Sequence, residues 1–334
     1  MIDLPTIWFL ILGLELALYV ILDGADLGLG FLSLLPQSEK ARSILIQTVG
    51  PIWDANETWL VIAGGTLFGA FPLAYGIILN ALYIPVMILL FGLIIRATAF
   101  EFRAMGEKKR FWETMFGVGS LLAIVGQGFA VGGVLNGIQV VDGHFSGGSF
   151  DWFSALSIFI TAGVLMSYVV VGYAYLIKRR HFEYTHESFS RIFIAATVTF
   201  GAFASATILL PQEHPFVLER WITEPTRTIL IGLSILIGLV SFLLIYCVIK
   251  KTLHRHLHSI CMTIFVLAAA ATAYAVYPYL IPPALTVYDT SSSAVTLRFM
   301  LWGIGPLLPI VLAYNFYMYH VFRAGRNDEH LEDY

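Results

Sequence analysis

The stretch Glu15-Leu-Ala-Leu-Tyr-Val-Ile-Leu-Asp23-Gly-Ala-Asp26-Leu-Gly-Leu-Gly30 decides the fold, because it places three carboxylates inside an apolar run over residues 6–35. A transmembrane helix needs about 20 apolar residues, and this run exceeds that length. At about 100° per residue, Glu15 and Asp26 differ by about 20° around a helix, and Asp23 lies about 60–80° from them. Carboxylates at bilayer depth are costly and usually face a bundle interior or a water-filled path. The stretch therefore predicts a membrane helix with one polar side.

The whole chain has the composition of an integral membrane protein. Of its 334 residues, 58% are hydrophobic and 12% are charged, and the mean hydropathy is +0.80. A soluble domain has about 45–50% apolar and about 25% charged residues. The net charge of -3 is small and the basic residues form short clusters between apolar runs, which argues against nucleic acid as a partner. Cys247 and Cys261 lack the spacing of a metal site or a disulfide framework, so we expect two packed thiols and no metal.

Nine apolar runs are long enough to be transmembrane helices. They cover residues 6–35, 49–73, 75–101, 114–138, 152–177, 192–211, 227–249, 259–280 and 295–322. The loops between them are short, so we expect a single transmembrane domain over residues 1–334. The amino terminus lacks the basic segment and the cleavage site of a signal peptide, so we expect the first helix to be retained.

Lysine and arginine are distributed unequally between the loops, and cytoplasmic loops carry the excess of these residues. The loops after odd-numbered helices contain Lys40, Arg42, Arg103, Lys108, Lys109, Arg110, Lys178, Arg179, Arg180, Arg191, Lys250, Lys251, Arg255, Arg323 and Arg326. The opposite loops contain Arg220, Arg227 and Arg298. We therefore predict an amino terminus outside the cell and a carboxyl terminus in the cytoplasm.

Helix 2 begins with two further acids, Asp54 and Glu57, which share a face at i,i+3 spacing. From the cytoplasmic side, Asp54 and Glu57 come first in depth, Asp26 and Asp23 lie deeper, and Glu15 lies beyond them. Buried carboxyls can exchange protons near neutral pH. The ordered set therefore predicts a proton path.

Arg96 on helix 3 offers a structural alternative, in which it pairs with Asp54 or Glu57 and holds the bundle together. Five carboxylates cannot all be neutralised by one arginine. Some of them must be protonated, hydrated or matched by a partner subunit. This charge balance favours proton transfer, while pairing stays open for the individual acids.

Glycine pairs and capping residues predict further packing. Gly24-Ala-Asp-Leu-Gly28 and Gly65-Thr-Leu-Phe-Gly69 have GxxxG spacing, which lets helix backbones approach closely. We expect close packing of helices 1 and 2, or packing against another subunit. The segment from Asp289 to Ser293 offers oxygen atoms that can cap helix 9, and contact with a partner's outer loop is the alternative.

The positions of the histidines argue against a haem ligated by this chain. Haem in a membrane bundle is usually held by His, Met or Cys from a helix interior. The histidines fall in loops, at helix ends or in the tail: His144, His181, His186, His214, His254, His256, His258, His320 and His330. We expect Met87, Met166 and Met300 to be packing residues, and the His254-Arg-His-Leu-His258 run to be solvated.

Several segments together resemble subunit II of cytochrome bd-type quinol oxidases. They are Leu22-Asp-Gly-Ala-Asp-Leu-Gly-Leu-Gly30, Gly50-Pro-Ile-Trp-Asp-Ala-Asn-Glu-Thr-Trp-Leu60, Ala70-Phe-Pro-Leu-Ala-Tyr75, Phe100-Glu-Phe-Arg103 and Tyr277-Pro with Tyr288-Asp-Thr-Ser-Ser. The resemblance extends over nearly the whole chain, and its most specific part is the tryptophan-flanked Asp54 motif. The pair Asn56-Glu57 is closer to the cyanide-insensitive branch of the family.

The resemblance implies an all-α fold and a set of partners. The implied fold has two four-helix bundles, at residues 1–140 and 150–282, and a peripheral ninth helix at residues 290–323. In the implied heterodimer, subunit I carries two haems b and haem d, oxidises quinol and reduces oxygen to water, while subunit II holds no haem. A structural quinone and a small accessory subunit are further expectations, together with membrane lipid and the cell membrane of a bacterium or an archaeon.

The resemblance also implies roles for individual residues. Asp54 matches a position in a proton path from the cytoplasm toward the haems. Trp59 matches a tryptophan near an oxygen route. Asp26 matches a family aspartate, whereas Glu15 has no counterpart in some branches.

We therefore expect a subunit of a respiratory quinol oxidase that is not catalytic alone. It stabilises subunit I and supplies protons through Asp54, with Glu57, Asp26 and Asp23 as further candidates. The main alternative is a proton-coupled secondary transporter, which also uses midplane carboxylates. Helices 5 to 8 lack matching acids, whereas inverted-repeat carriers usually have polar segments in both halves. A third interpretation is a scaffold whose acids only pair with subunit I.

Overall fold

The computed structural model describes residues 3–50, 52–106, 108–179, 186–250, 252 and 256–321. Its helices are α1 (Leu4–Ser33), α2 (Glu39–Val49), α3 (Trp53–Ala70), α4 (Pro72–Ala81), α5 (Tyr83–Ala104), α6 (Lys109–Leu135), α7 (Ala155–Lys178), α8 (His186–Glu213), α9 (Pro215–Ile222), α10 (Thr226–Lys250), α11 (Leu257–Val276), α12 (Val287–Thr290) and α13 (Ala294–Val321). Two antiparallel hairpins, β1 (Val140–Val141) with β2 (His144–Phe145) and β3 (Tyr279–Ile281) with β4 (Leu285–Thr286), complete the fold.

Within the described ranges, eight helices are long and apolar enough to cross a membrane, namely α1, α5, α6, α7, α8, α10, α11 and α13. The chain is thus an all-α multi-pass membrane protein, as its composition predicts. The predicted second span corresponds to α3, which is only 18 residues long and carries two acids in its first turns. The count of nine spans stays a prediction.

The predicted helices at 49–73 and 75–101 are wrong in their bounds, because the structure has three helices there. α3 ends before Phe71, and Pro72 occupies the first turn of α4, where its missing N–H does not matter. A second break at Leu82 separates α4 from α5. Both breaks lie within apolar sequence, so hydropathy alone could not place them.

The helix arrangement is centred on α1. It packs against α3, α6, α7 and α11, while α5 packs on α6, α7 on α8, and α10 on α11. Helix α13 lies against α1 and α3. The division into bundles at 1–140 and 150–282, with a peripheral helix at 290–323, stays a prediction.

The bundle has two distinct ends. The basic end carries Arg42, Arg103 and Arg179, and the hairpin end carries both β-hairpins with α4, α9 and α12. Other residues used for the topology or for metal-site arguments lie outside the described residues: Arg180, His181, Lys251, His254, Arg255, Arg323, Arg326 and His330. The predicted orientation in the membrane therefore stays a prediction.

The predicted cap of the last helix is confirmed at Ser293, whose Oγ accepts a hydrogen bond from the Thr296 backbone N–H at 3.2 Å. Asp289 serves a different helix. It accepts hydrogen bonds from the side chain and backbone N–H of Thr286 and so caps α12. These bonds lower the pKa of Asp289. Cys247 and Cys261 are free, buried thiols, as predicted.

The first glycine pair packs against α7, whereas the prediction for it was close packing of helices 1 and 2 or packing against another subunit. Helix α1 does pack against α3, but not through these two glycines. A Cβ atom on Gly24 would lie 2.6 Å from the Tyr168 ring, and one on Gly28 would overlap the Tyr168 carbonyl oxygen. In the other pair, Gly69 meets the side chain of Met300 on α13, whereas Gly65 is open. GxxxG spacing predicts which face of a helix can pack closely, but it does not identify the helix that packs there.

We predict that Gly28→Ala lowers the thermal midpoint of the purified complex, because the added methyl group meets backbone that cannot rotate away. Overpacking of this kind costs about 1–3 kcal/mol. The measurement is thermal unfolding of the detergent-solubilised complex.

Gly13→Ala on the same helix is the matched control, since a Cβ atom there has nothing within 4 Å. It should leave the midpoint unchanged or raise it, because alanine favours helix over glycine. Equal midpoints for the two variants would contradict the proposed contact between α1 and α7.

Candidate functional site

Arg96 on α5 joins the acids of two other helices. Its Nη2 donates to Asp23 Oδ1 on α1 at 2.7 Å and also to Glu57 Oε1 on α3. Arg96 and Asp23 are fully buried, while 18% of the Glu57 side chain is exposed. The Nε and Nη1 atoms of Arg96 are buried without a protein partner. One cation therefore holds two carboxylates at the meeting point of three helices.

Close packing of α5 on α6 places this guanidinium. A Cβ atom on Gly119 of α6 would lie 2.6 Å from the Arg96 backbone nitrogen, and one on Gly92 of α5 would overlap the backbone of Ala123. Side chains at these two glycines would separate the helices. The glycines thus bring the α5 backbone inward, where the long Arg96 side chain spans the space to α1 and α3.

Asp26 lies next to this ion-pair cluster but has a neutral partner. Its Oδ2 accepts a 2.7 Å hydrogen bond from Asn56 Nδ2, while its Oδ1 is buried without a protein partner. The Oδ1 atom of Asn56 in turn accepts a 3.4 Å hydrogen bond from the Tyr319 hydroxyl of α13. The last helix thus contributes to the polar interior between α1 and α3.

Glu15 is the acid farthest from the basic end. It is fully buried, and its Oε1 accepts a 3.0 Å hydrogen bond from Thr66 Oγ1 on α3. Between Glu15 and the Arg96 cluster lie Tyr19 and Trp59, both buried and packed with Leu308 of α13. The Tyr19 hydroxyl and the Trp59 Nε1 have no protein partner.

These groups form one continuous seam between α1 and α3, which we call the polar column. It comprises Asp26, Asn56, Asp23, Arg96, Glu57, Tyr19, Trp59, Glu15 and Thr66. Buried polar atoms in proteins are paired with protein or with ordered water. Because seven atoms of the column lack a protein partner, the seam has the polarity to bind ordered water.

The order of the acids by membrane depth stays a prediction, and their contacts differ from it at one position. Asp54, in the first turn of α3, is exposed at the basic end. Glu57 lies further inside the bundle than predicted, because it binds the same Arg96 guanidinium as Asp23. Of the two pairings considered for Arg96, the one with Glu57 is present. Helical phase predicted the shared side of α1, whereas the level of Glu57 depended on a third helix.

A second buried ion cluster was missed. Glu113 on α6 accepts hydrogen bonds from Arg103 Nε and Nη2 at 3.3 and 3.2 Å, and Arg42 Nη1 lies 3.9 Å from its other oxygen. Arg103 also donates to Ser43 Oγ at 2.9 Å. The three charged side chains are each at least 90% buried. Glu113 follows a run of basic residues and precedes the predicted helix start at residue 114, so hydropathy does not indicate that it is buried.

Metal ligation has no support in the described residues, where no group of three or more His, Cys, Asp or Glu side chains could hold an ion. A cavity of about 510 Å³ opens at the hairpin end, away from the polar column, and its lining includes Gln139, Asp151 and His214. The polar chemistry of the membrane interior therefore centres on the column.

Known proteins match this chain over nearly its whole length. A family model described as cytochrome bd terminal oxidase subunit II matches residues 4–322. Cytochrome bd-I ubiquinol oxidase subunit 2 of Escherichia coli (strain K12) is 26% identical, over 94% of this chain and 92% of its own length. Cytochrome bd ubiquinol oxidase subunit 2 of Bacillus subtilis (strain 168) is 27% identical, over 97% of each chain.

A solved structure shares the fold. The bd oxidase from Geobacillus thermodenitrificans contains a chain that matches with a TM-score of 0.78 at 18% identity, covering 96% of this chain and 99% of that one. The resemblance seen in separate sequence segments thus extends to the whole chain. This chain belongs to the family of cytochrome bd terminal oxidase subunit II and is part of a quinol oxidase complex.

Proposed function

We propose that this chain stabilises the haem-bearing subunit I and supplies protons for the reduction of oxygen to water, along a path that begins at Asp54. The observation that carries the proposal is the position of Asp54. It is exposed at the basic end, one helical turn before Glu57, which belongs to the polar column. A proton that arrives at Asp54 therefore has an acceptor one turn further in.

The outward face of α3 supports a partner at this place. Asp54, Val61, Gly65 and Phe68 differ by no more than about 60° around the helix, and all four are exposed. A membrane helix with a smooth, apolar face next to one carboxylate is suited to packing against another helix. We infer that subunit I packs on this face, so that Asp54 lies at the subunit interface.

The haems of the complex, two haems b and one haem d, are proposed to lie on subunit I. Haem in a membrane bundle needs a His, Met or Cys ligand from a helix interior. The histidines whose side chains the structure describes, His144, His214, His256 and His258, lie in a hairpin or at helix ends. Met300 packs on Gly69, so it does not fit a ligand role either. When bound, the haems carry the electrons that reduce oxygen.

The wider setting follows from the family. We propose that quinol and oxygen are the substrates of the complex and that the complex lies in a bacterial cytoplasmic membrane, with the basic end facing the cytoplasm. The archaeal option, a structural quinone, the small accessory subunit, the cyanide-insensitive subtype and the oxygen route near Trp59 stay predictions.

The transporter alternative is not favoured. Buried charged side chains in the described chain lie on α1, α2, α5 and α6, and the partly buried Glu57 lies on α3, whereas α7 to α11 have none. An inverted-repeat carrier usually has polar segments in both halves. The scaffold alternative is weakened for four acids, because Glu15, Asp23, Asp26 and Glu57 all have partners within this chain.

We predict that Asp54→Asn lowers quinol oxidase turnover by about tenfold. The effect should be smaller than the ~10²–10⁴-fold contribution of a positioned acid or base, because Glu57 is partly exposed and water still reaches it. The measurement is oxygen consumption by the purified complex, with haem absorbance as a check on assembly. Glu39→Gln, which neutralises another exposed acid at the basic end, should turn over normally. Unchanged turnover in Asp54→Asn would refute the proposed path.

Packing of subunit I on α3 predicts that Gly65→Phe reduces the amount of subunit I recovered with this chain. Gly65 is exposed, and a Cβ atom there has nothing within 4 Å in this chain, so the added side chain starts from open space. Gly232→Phe on α10 is the matched control, since that glycine is equally open. The measurement is the ratio of subunits, and of haem to protein, after affinity purification. Equal ratios in the two variants would exclude this face of α3 as the interface.

The ion-pair cluster predicts that Arg96→Gln destabilises the complex strongly, because two acids lose their cation inside the membrane. Breaking a buried ion pair by removing one partner costs about 3–5 kcal/mol. Adding Asp23→Asn and Glu57→Gln should restore part of the lost thermal midpoint. If the triple variant is no more stable than Arg96→Gln, the charge balance does not explain the loss.

A further inference from the structure

Glu15 is a buried acid that the proposed path does not use. None of its surface is exposed, and its single hydrogen bond comes from Thr66 Oγ1. Its Oε2 atom is buried without a protein partner, and in the described residues no ion pair includes it. It differs in this respect from Asp23 and Glu57, which share Arg96.

A lone buried carboxyl group favours its neutral, protonated form, because burial of an unpaired charge is far more costly than burial of a polar group. One donor, the Thr66 hydroxyl, satisfies Oε1. A carboxylic acid also carries an O–H that seeks an acceptor, and Oε2 is free for that role. The environment of Glu15 therefore favours a protonated side chain.

The groups around Glu15 connect it to the Arg96 cluster. Glu15, Tyr19 and Asp23 follow at i, i+4 and i+8 on α1, so successive members are about 6 Å apart along the helix. All three are buried. The Tyr19 hydroxyl and Asp23 Oδ2 lack protein partners, and hydrogen-bonded water satisfies such atoms in protein interiors.

The remaining neighbours set the electrostatics of Glu15. From α3, Thr66 donates a hydrogen bond to Glu15. Trp59 of the same helix lies nearer the Arg96 cluster, and its indole N–H can only donate hydrogen bonds. From α13, the side chains in this part of the seam, Ile304 and Leu308, are apolar. The titratable groups in reach are thus Tyr19 and Asp23 of its own helix, with Arg96 and Glu57 beyond them.

We propose that Glu15 is a second proton-exchange site of the oxidase, which releases and regains a proton during turnover by way of Tyr19 and the Arg96 cluster. In the release step, the Glu15 O–H bond breaks, the proton passes to a hydrogen-bonded oxygen, and a carboxylate remains. In the return step, the proton comes back from the cluster. No electron passes through Glu15. The proposal rests on the proposed function in that Asp54 supplies the cluster.

The test is infrared difference spectroscopy of the assembled complex, as reduced minus oxidised spectra. The wild-type complex should show a carbonyl stretching band of a protonated carboxylic acid, which shifts in D₂O. Glu15→Gln should abolish this band and Glu15→Asp should move it. Glu101→Gln, which removes an exposed acid at the basic end, should leave it unchanged. A spectrum of Glu15→Gln that retains every carboxylic acid band overturns the proposal.

Thr66→Val provides a second variant that keeps the acid. Loss of the hydroxyl donor should shift the same band, and an unshifted band would overturn the assignment even where Glu15→Gln does not assemble. Asp54→Asn separates this inference from the proposed path. Slow turnover in Asp54→Asn together with an unaltered spectrum in Glu15→Gln refutes the Glu15 site alone. Normal turnover in Asp54→Asn together with a lost band in Glu15→Gln refutes the path alone.

Discussion

The buried guanidinium of Arg96 is the constraint on which the polar interior depends. Arginine does not lose its proton in proteins, so its charge is permanent wherever the fold places it. Inside a membrane bundle that charge must be matched, and Asp23 of α1 and Glu57 of α3 match it. The three helices cannot separate without leaving charges unpaired, and α6 supports the arrangement through the glycine contacts of α5.

The other acids of the column differ from this pair in kind. Asp26 and Glu15 accept hydrogen bonds from a neutral amide and a neutral hydroxyl, and neither forms an ion pair with Arg96. The column thus contains one fixed charge with its two counter-ions, flanked by two carboxyl groups that have neutral partners. A structural scaffold requires only the first part. We propose proton transfer from the position of Asp54 beside Glu57, and the flanking carboxyls are additional acids that a scaffold does not require.

The sequence predicted the membrane class, most helix bounds and the polar side of α1, because each follows from hydropathy or helical phase along one element. It failed where the answer lies in a neighbouring element. Gly24 and Gly28 allow close helix packing, as predicted, but their neighbour is Tyr168. Glu57 lies beside Asp23 because Arg96 donates hydrogen bonds to both. Glu113 was hidden in a charged segment that hydropathy assigns to a loop. Helical phase predicted the shared side of the acids on α1, whereas the partners of these groups required the fold.

The two acids in the first turns of α3, Asp54 and Glu57, lie in different environments. Asp54 is exposed on the same side of α3 as Val61 and Phe68, whereas Glu57, at the edge of that side, is largely buried and reaches Arg96. An i,i+3 step rotates the helix by about 300°, so the two acids lie about 60° apart and one turn apart. A group at the surface and a group in the column are therefore neighbours on one rigid element. The path that we propose from the face assigned to subunit I into the interior therefore requires no movement of the backbone.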